Sequence, residues 1–314
     1  MQSTPTGQPT FLNARTVTTS EVRAGDIAIL GAPYGVPYGG TSDQLSGTAP
    51  VAIREQSLRL ARYLEHYDFD IAGPLLAERT IRIVDCGDVP SVPGAGTDNQ
   101  RAIHDAVRAI LAAGALPIVL GGDDSIPIPV LWAYEGHPPI CVVQIDAHID
   151  WRDELGGVRE GLSSPMRRAS EMPWVSGMAQ IGMRGVGSAR QAEVDAATSY
   201  GSVIVTAHEV RELGIASALA RIPAAERYFI TLDMDAFDPA IAPAVQAPAF
   251  GGLTYEDVSA LLRGVAAKGR VVGFDLVELV PELDQNGRTA LLAARLVIVL
   301  LSALAHLGQI GTDG

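Results

Sequence analysis

The sequence is short of aromatic residues, of cysteines and of positive charge. Aromatic residues account for 5% of its 314 residues and charged residues for 19%, whereas hydrophobic residues account for 47%. That composition is typical of a globular protein with an aliphatic core and excludes a disordered or fibrous chain. The formal net charge is −13, and we find no clustered basic segment. Because phosphate-rich partners are bound through clustered basic residues, nucleic acid and anionic membranes are disfavoured.

The two cysteines and the lengths of the apolar segments predict a cytoplasmic location. Cys86 and Cys141 each lie within an apolar run, so we expect buried free thiols, as in a reducing cytoplasm. Residues 1–16 lack a basic start followed by an apolar stretch, which argues against a signal peptide. A membrane-spanning helix needs about 18 apolar residues. The best candidate, 291–307, contains Arg295 and His306 and is predicted to be a packed helix.

Apolar runs rich in β-branched residues alternate with longer segments of helical periodicity. The predicted strands are 26–33, 80–86, 116–122, 140–146, 178–184, 202–206, 227–233 and 270–278. The predicted helices are 51–66, 99–113, 255–267 and 289–306. This alternation predicts an α/β fold of three layers, α/β/α, with a mainly parallel sheet of about eight strands. We expect one domain over residues 25–310, preceded by an N-terminal extension at 1–24.

Carboxylates follow several of the predicted strands. Asp146, His148 and Asp150 are spaced by two residues, so on an extended chain they face one side. Asp233 and Asp235 repeat this spacing after another strand. Glycine- and proline-rich loops at 31–50, 88–97 and 238–252 should gather at the same carboxyl edge of the sheet.

Such a concentration of carboxylates needs cations to neutralise it. We therefore predict a two-metal site at that edge. Oxygen-rich coordination favours hard ions, and with His148 as the only imidazole Mn²⁺ is favoured, with Ni²⁺ as the alternative. A lone aspartate after a strand more often caps a turn. For Asp123 and Asp238, which precedes Pro239, this structural role is the preferred interpretation, as packing or surface roles are for the remaining histidines.

Three motifs resemble the signatures of the ureohydrolase family, which includes arginases and agmatinases. They are Asp-Ala-His-x-Asp at 146–150, Asp-x-Asp-x-x-Asp-Pro at 233–239 and Gly-Gly-Asp-x-Ser at 121–125, and the resemblance extends along nearly the whole chain. It implies an arginase-like fold and two metal ions per subunit. In relatives, the residues matching Asp146 and Asp233 bridge both ions. Those matching Asp150 bind the first ion, and those matching His148 and Asp235 bind the second.

The sequence departs from the family pattern at two places. The family normally has a histidine ligand where this chain has Asp124, and we predict that Asp124 binds the first ion in its place. Relatives also carry a histidine near Leu162, where this chain continues with Ser163 and Ser164. These changes disfavour arginine or agmatine as the substrate. The segment resembles members that act on small guanidines, N-alkylated guanidines or biguanides, and we assign Ser163 and Ser164 to substrate binding.

The resemblance implies hydrolysis of a guanidino C–N bond, with release of urea or a substituted urea. Glu278 follows the last strand and matches the glutamate that holds the guanidinium group. Asp150 is the predicted proton carrier to the departing nitrogen. Trp151 is a candidate for stacking on the planar cation, although packing beneath the metal loop is the stronger interpretation. Relatives form trimers or hexamers, so we expect a homo-oligomer.

Two alternatives remain at this level. Asp124 and Leu162 are also compatible with a catalytically impaired subunit that assembles with an active paralogue as a hetero-oligomer. A metal-dependent deacetylase would share the general fold, but its ligands surround a single zinc ion. The doubled Asp-x-Asp pattern argues against the deacetylase.

Overall fold

The computed structural model describes residues 7–36, 45–187 and 189–312. Its eleven strands in these ranges are β1 (Arg15–Thr16), β2 (Ile27–Ala32), β3 (Tyr67–Asp68), β4 (Gly73–Pro74), β5 (Ile83–Asp88), β6 (Leu116–Gly121), β7 (Ile140–Ile145), β8 (Val175–Met183), β9 (Val203–Thr206), β10 (Arg227–Asp233) and β11 (Arg270–Val277). Nine strands form one sheet in the order β1-β5-β2-β6-β11-β10-β7-β8-β9, and every pair in it is parallel. Strands β3 and β4 form a separate antiparallel hairpin. The predicted parallel α/β sheet is therefore confirmed, with one additional edge strand, β1, that is too short to give a sequence pattern.

The helices cover both faces of this sheet. They are α1 (Ala49–Ser57), α2 (Gly96–Ala112), α3 (Pro127–Trp132), α4 (Pro165–Ser170), α5 (Gln191–Tyr200), α6 (Ala207–Leu213), α7 (Ile215–Arg221), α8 (Tyr255–Lys268) and α9 (Arg288–His306). The prediction of one helix over 51–66 is wrong beyond Ser57. There the bonding changes to the tighter 3-10 type, as Leu60 N–H donates to Ser57 O at 2.9 Å and Tyr63 N–H to Leu60 O at 2.9 Å. Helices α3 to α7 were not predicted because segments this short show little periodicity.

The strand residues alternate between two cores, one on each face of the sheet. Along β7, Cys141, Val143 and Ile145 join the core that contains α8 and α9, whereas Ile140 and Val142 join the core that contains α2 and α3. This alternation follows from the two-residue period of a strand. It produces the predicted three layers. Both Cys86 and Cys141 are free and buried, as predicted.

Helix α9 is the central helix of its layer. By length and composition alone, residues 285–306 could cross a membrane, but 78% of the apolar 18-residue window within them is buried inside the fold. Leu296, Val297 and Leu300 are each 0% exposed, and the helix packs against α1 and α8. The prediction of a packed helix is therefore confirmed.

The segment before β2 contacts both cores. Phe11 is 0% exposed, and its N–H donates to Asp85 Oδ2 at 2.8 Å. Val17 and Val22 are buried in the other core, which contains α2. The boundary between an extension and a domain at residue 24 stays a prediction. Part of the predicted glycine-rich loop, residues 37–44, lies outside the described residues.

Candidate metal centre

The four central strands of the sheet end at one edge, and each delivers a carboxylate there. Asp124 follows β6, Glu278 follows β11, Asp233 ends β10 and Asp146 follows β7, and these strands are consecutive neighbours in the sheet. All four residues are at most 6% exposed. Parallel pairing places the ends of these strands together, so residues far apart in sequence meet at one point.

Two groups of potential metal ligands are found among the described residues. Asp146, His148 and Asp235 form one group, and Asp124, Asp146 and Asp233 form the other, with one ligand atom from each residue within 4.8 Å of the others. Asp146 belongs to both groups. The arrangement brings together five of the six predicted ligands, and it pairs them as the resemblance implies for a second and a first ion.

Asp150, the sixth predicted ligand, lies in neither of these groups. Its carboxylate is nevertheless buried beside them, because one amide nitrogen of Gln144 donates both to Asp146 Oδ2 at 2.7 Å and to Asp150 Oδ2 at 2.8 Å. Metal coordination by any of the six residues, Asp150 included, and bridging of two ions by Asp146 and Asp233 stay predictions.

Short backbone contacts hold two of the predicted ligand carboxylates in place. Asp146 accepts from the N–H of His148 at 2.6 Å, and Asp233 accepts from the N–H of Asp235 at 2.6 Å. Both are turns in which a carboxylate bonds the backbone two residues later. Gly182, at φ +107°, lies so close to the Asp146 carbonyl that a Cβ would stand 2.6 Å from its oxygen. Only glycine combines that backbone conformation with that approach.

The burial of so many acids changes their protonation. Burial raises the pKa of Asp124, Asp146 and Asp233 well above the ordinary carboxyl value, and repulsion from neighbouring carboxylates raises each further. Burial likewise raises the pKa of Asp150 and of Glu278. A buried cluster of acids therefore favours neutral forms unless cations are present to compensate the charge.

The pKa of His148 is also raised, but for a histidine this favours the charged form. Burial disfavours its charged form, but the hydrogen bond from Nδ1 to Asp235 Oδ2 at 3.1 Å and the nearby Asp150 outweigh burial and raise its pKa to about 9. The negative potential of the edge therefore favours a cation at this position. The same potential would favour a metal ion or a cationic substrate.

Two site residues have a left-handed backbone. Asp150 has φ +43° and Glu278 has φ +65°, although neither is glycine. Such conformations cost about 1–3 kcal/mol each and persist where surrounding contacts enforce them. Glu278 is held by its N–H, which donates to Gly122 O at 2.8 Å, and by its side chain, which accepts from the N–H of Asp124 at 2.8 Å.

The residues predicted to bind substrate differ in their surroundings. Ser163 and Ser164 are buried where the chain enters α4, and the Ser163 carbonyl accepts from the N–H of Arg152 at 2.9 Å. Trp151 is 2% exposed, and its ring packs at 5.6 Å from that of Tyr200 in the core. This environment favours the packing role of Trp151 over cation stacking.

The predicted structural roles fit the contacts found. Asp123 accepts from Ser125 N–H at 2.9 Å, and Asp238 accepts from the backbone of Ala240, Gly251 and Gly252, as turn-forming aspartates do. The other histidines make surface or packing contacts and belong to neither ligand group in the described part of the chain. These are His66 against Tyr63, His104 with Asp105, His137 against Tyr134, His208 with Glu212 and His306 with Pro74.

Sequence reasoning assigned no role to two groups that support the site. Arg184 extends its guanidinium into the loop after β10 and donates to the carbonyls of Asp235 at 2.7 Å, Phe237 at 3.0 Å and Ala249 at 2.8 Å. Gln144 was missed although it precedes Asp146 by two residues and so lies on the same strand face. That spacing was the signal that could have identified it.

Comparison with known proteins gives one consistent result. The model of the arginase family matches residues 25–302. The chain is 35% identical over 314 residues to proclavaminate amidinohydrolase of Streptomyces clavuligerus, covering 96% of this chain and 95% of that protein. It is 32% identical over 308 residues to guanidinopropionase of Pseudomonas aeruginosa, covering 96% and 92% respectively.

The solved structures agree with this result. The structure of the S. clavuligerus proclavaminate amidino hydrolase superposes with a TM-score of 0.83 at 30% identity, covering 95% of this chain and 97% of that one. The agmatine ureohydrolase of Thermoplasma volcanium superposes with a TM-score of 0.75 at 28% identity, covering 91% of each chain. With its fold, its acidic edge and these matches in agreement, the chain belongs to the arginase family.

Proposed function

We propose that this protein is a metal-dependent hydrolase that cleaves a C–N bond of a small guanidino compound and releases urea or a substituted urea. The observation that carries the proposal is the convergence of Asp124, Asp146, His148, Asp233 and Asp235 at one sheet edge, with Glu278 beside them. Relatives named for guanidinopropionate and proclavaminate support a guanidino substrate.

The residues present suit two divalent cations. Asp124 Oδ2 is buried and has no hydrogen-bond partner in the described ranges, as expected for an atom reserved for a metal ion. The set is rich in carboxylate oxygen and contains one imidazole, which favours Mn²⁺, with Ni²⁺ as the alternative. When bound, a pair of such ions would lower the pKa of water towards about 7 and so supply a nucleophile at neutral pH.

The remaining steps fall to side chains of this chain. Glu278 binds the guanidinium group by charge-assisted hydrogen bonds and orients its central carbon. Asp150 takes up a proton from the attacking water and delivers it to the departing nitrogen, so that the amine leaves in neutral form.

The proposed substrates are small guanidines, N-alkylated guanidines or biguanides. The segment from Leu162 to Ser164 lacks the imidazole that arginase-like and agmatinase-like relatives carry there, and its two serines are buried. The two buried hydroxyl groups beside the aliphatic Leu162 suit a short substrate with few charged groups better than they suit arginine or agmatine. We assign Ser163 and Ser164 to this binding surface.

A catalytically impaired subunit that assembles with an active paralogue is the second candidate. Asp124 in the position of a histidine ligand is the observation that favours it. Five of six ligand positions keep the family residue, which supports the enzyme over this alternative. In either case we propose a trimeric or hexameric assembly in the cytoplasm, a location that suits two buried free thiols.

Metal content and a substrate screen test the proposal. The purified chain is loaded separately with Mn²⁺ and Ni²⁺, its bound metal is counted, and urea release is followed with guanidine, alkylguanidines, biguanides, agmatine and arginine. Two equivalents of metal and urea release from a small guanidino compound are expected. No bound metal and no urea, with activity only after mixing with a paralogue, would favour the impaired subunit.

A further inference from the structure

A chain of three buried polar side chains crosses strands β7 and β8 and reaches the start of β9. Gln144 donates to the carboxylates of Asp146 and Asp150 at 2.7 and 2.8 Å. Its own oxygen accepts from Gln180 Nε2 at 2.6 Å, and Gln180 Oε1 accepts from Ser202 Oγ at 2.8 Å. Gln144 is 1% exposed and Gln180 is 0% exposed, so the chain lies inside the core and ends at the acidic edge.

Gln144 can make these hydrogen bonds in only one orientation of its amide group. An amide offers a donating nitrogen on one side and an accepting oxygen on the other. If the amide of Gln144 turned over, its oxygen would face two carboxylates and its nitrogen would face the donor of Gln180. The bond from Gln180 therefore sets the orientation in which Gln144 serves both carboxylates. Gln180 is oriented in turn by its donation to the carbonyl of Ile149, which can only accept.

Gln180 makes a second contact that bears on the site. Its Nε2 also donates to the carbonyl of Ile149 at 2.7 Å, immediately before Asp150 with its φ of +43°. Gln144 and Gln180 are paired in register on neighbouring strands, so one residue of β8 secures two points of the segment that carries the predicted ligands. The left-handed backbone of Asp150 is thus held from outside the loop.

We propose that Gln144 is a positioning residue for the predicted metal ligands Asp146 and Asp150, and that Gln180, supported by Ser202, holds it in its working orientation. The proposal rests on the proposed function, since it assumes that these carboxylates bind metal. One NH₂ group that bonds both carboxylates fixes their separation before any ion arrives. Partners behind the ligands of a metal site commonly tune its affinity in this way.

Metal titration of variants tests this role without relying on activity. The metal-free chain is titrated with Mn²⁺ by calorimetry for the wild type, Gln144→Met, Gln180→Met and the double variant. Gln144→Met keeps the volume but loses the donors, and we expect about 10- to 100-fold weaker binding. Gln180→Met should weaken binding in the same direction. The double variant should lose less than the product of the two effects, because Gln180 acts partly through Gln144.

A buried glutamine elsewhere supplies the control. Gln100 on α2 is 6% exposed and takes no part in this chain of bonds, so Gln100→Met should bind Mn²⁺ as the wild type does. If Gln144→Met does not fold, Gln180→Met and the milder Ser202→Ala, expected to weaken binding less, decide the question. A role in stability alone would lower the melting temperature of the metal-free variants and leave their affinity for Mn²⁺ unchanged.

The outcomes separate this proposal from the proposed function. Loss of the partner that supports a metal ligand typically weakens metal binding about 10- to 100-fold. If the wild type binds two ions and Gln144→Met binds them within about twofold of the wild-type affinity, the positioning role alone is overturned. Fully multiplicative losses in the double variant would also overturn the coupled chain. A wild type that binds no Mn²⁺ or Ni²⁺ overturns the two-metal hydrolase and the positioning role together.

Discussion

The carboxylate of Glu278 accepts a hydrogen bond from the backbone N–H of Asp124 at 2.8 Å. The two residues are 154 positions apart and follow neighbouring strands, β11 and β6. The bond therefore links the predicted substrate anchor to one of the two places at which this chain departs from the family pattern. It uses one oxygen of Glu278, Oε1, and an anchoring role requires the carboxylate to bind the substrate as well.

Glu278→Gln should separate these two roles. Glutamine keeps an oxygen that can accept from Asp124 but loses the negative charge that binds a guanidinium. Hydrogen bonds to charged groups contribute about 1.5–3 kcal/mol, so we expect roughly a 10- to 100-fold loss in kcat/KM with two metal ions still bound. Steady-state kinetics and metal counting measure the two effects. Glu282→Gln, an exposed change four residues later, is the control, and an unchanged kcat/KM in Glu278→Gln would contradict the anchoring role.

Asp124→Ala should remove one ion. Asp124 groups with Asp146 and Asp233 and keeps an unpartnered oxygen within the described residues, so the site loses a ligand and most urea release when it is truncated. Asp124→His should restore binding of the family type and keep or raise activity. Metal stoichiometry and urea assays measure both. Stoichiometry and turnover unaltered in Asp124→Ala would overturn the catalytic assignment. The impaired subunit is supported if the unaltered turnover is that of a complex with a paralogue and ligand substitutions in the paralogue abolish it.

The metal-free protein should lose stability as the pH rises. Burial raises the folded pKa of Asp124, Asp146 and Asp233, so the folded state binds more protons than the unfolded chain above a pH of about 4. The stability from these groups is present below that pH and is lost as the pH rises through their folded pKa. His148, with its pKa raised to about 9, extends the loss to that pH.

Thermal unfolding with and without Mn²⁺ measures this effect. Added Mn²⁺ should raise the melting temperature more at pH 8 than at pH 5, because bound cations stabilise the charged carboxylates. Exposed carboxylates with a lowered pKa, such as Asp238, titrate below this window and do not mask the trend. A metal-free protein that becomes more stable between pH 5 and pH 8 would contradict the assignment.

Away from the acidic edge, the buried ion pair between Arg54 and Asp85 should contribute strongly to the free energy of unfolding. Arg54 on α1 donates to both oxygens of Asp85 at 2.9 and 3.0 Å, and the two residues are 2% and 0% exposed. Arg54→Met leaves a buried carboxylate without its partner, which typically costs about 3–5 kcal/mol of unfolding free energy. Urea unfolding measures the loss. Arg59→Met, an exposed change on the same segment, should shift stability by no more than about 0.5 kcal/mol.

Trp151→Phe should leave substrate binding intact. The indole is buried against Tyr200, and its Nε1 has no partner in the part of the chain that the structure describes, so phenylalanine retains most of the packing. We expect KM to change by less than about twofold in this variant and in Trp151→Leu, which removes the aromatic face, since loss of a cation–π contact of about 1–2 kcal/mol would raise KM roughly 5- to 30-fold in the leucine variant. Steady-state kinetics decides, and a rise in that range would restore the stacking role.

The sequence by itself determined the fold class and most of the predicted ligands. Continuous apolar strands between amphipathic segments are produced by a sheet covered on both faces, and all eight predicted strands are present. The spacing of Asp146, His148 and Asp150 indicated a common direction because strand side chains alternate. These are local properties, and local patterns are visible in a linear sequence.

Tertiary structure decided which distant residues meet. The pairing of β6 with β11 brings Glu278 to Asp124, and the register of β7 with β8 places Gln180 behind Gln144. No spacing rule links residues 36 or 154 positions apart. The packing of Trp151 likewise depends on Tyr200 from another element. Such contacts arise from strand order and burial, which the chain determines only as a whole.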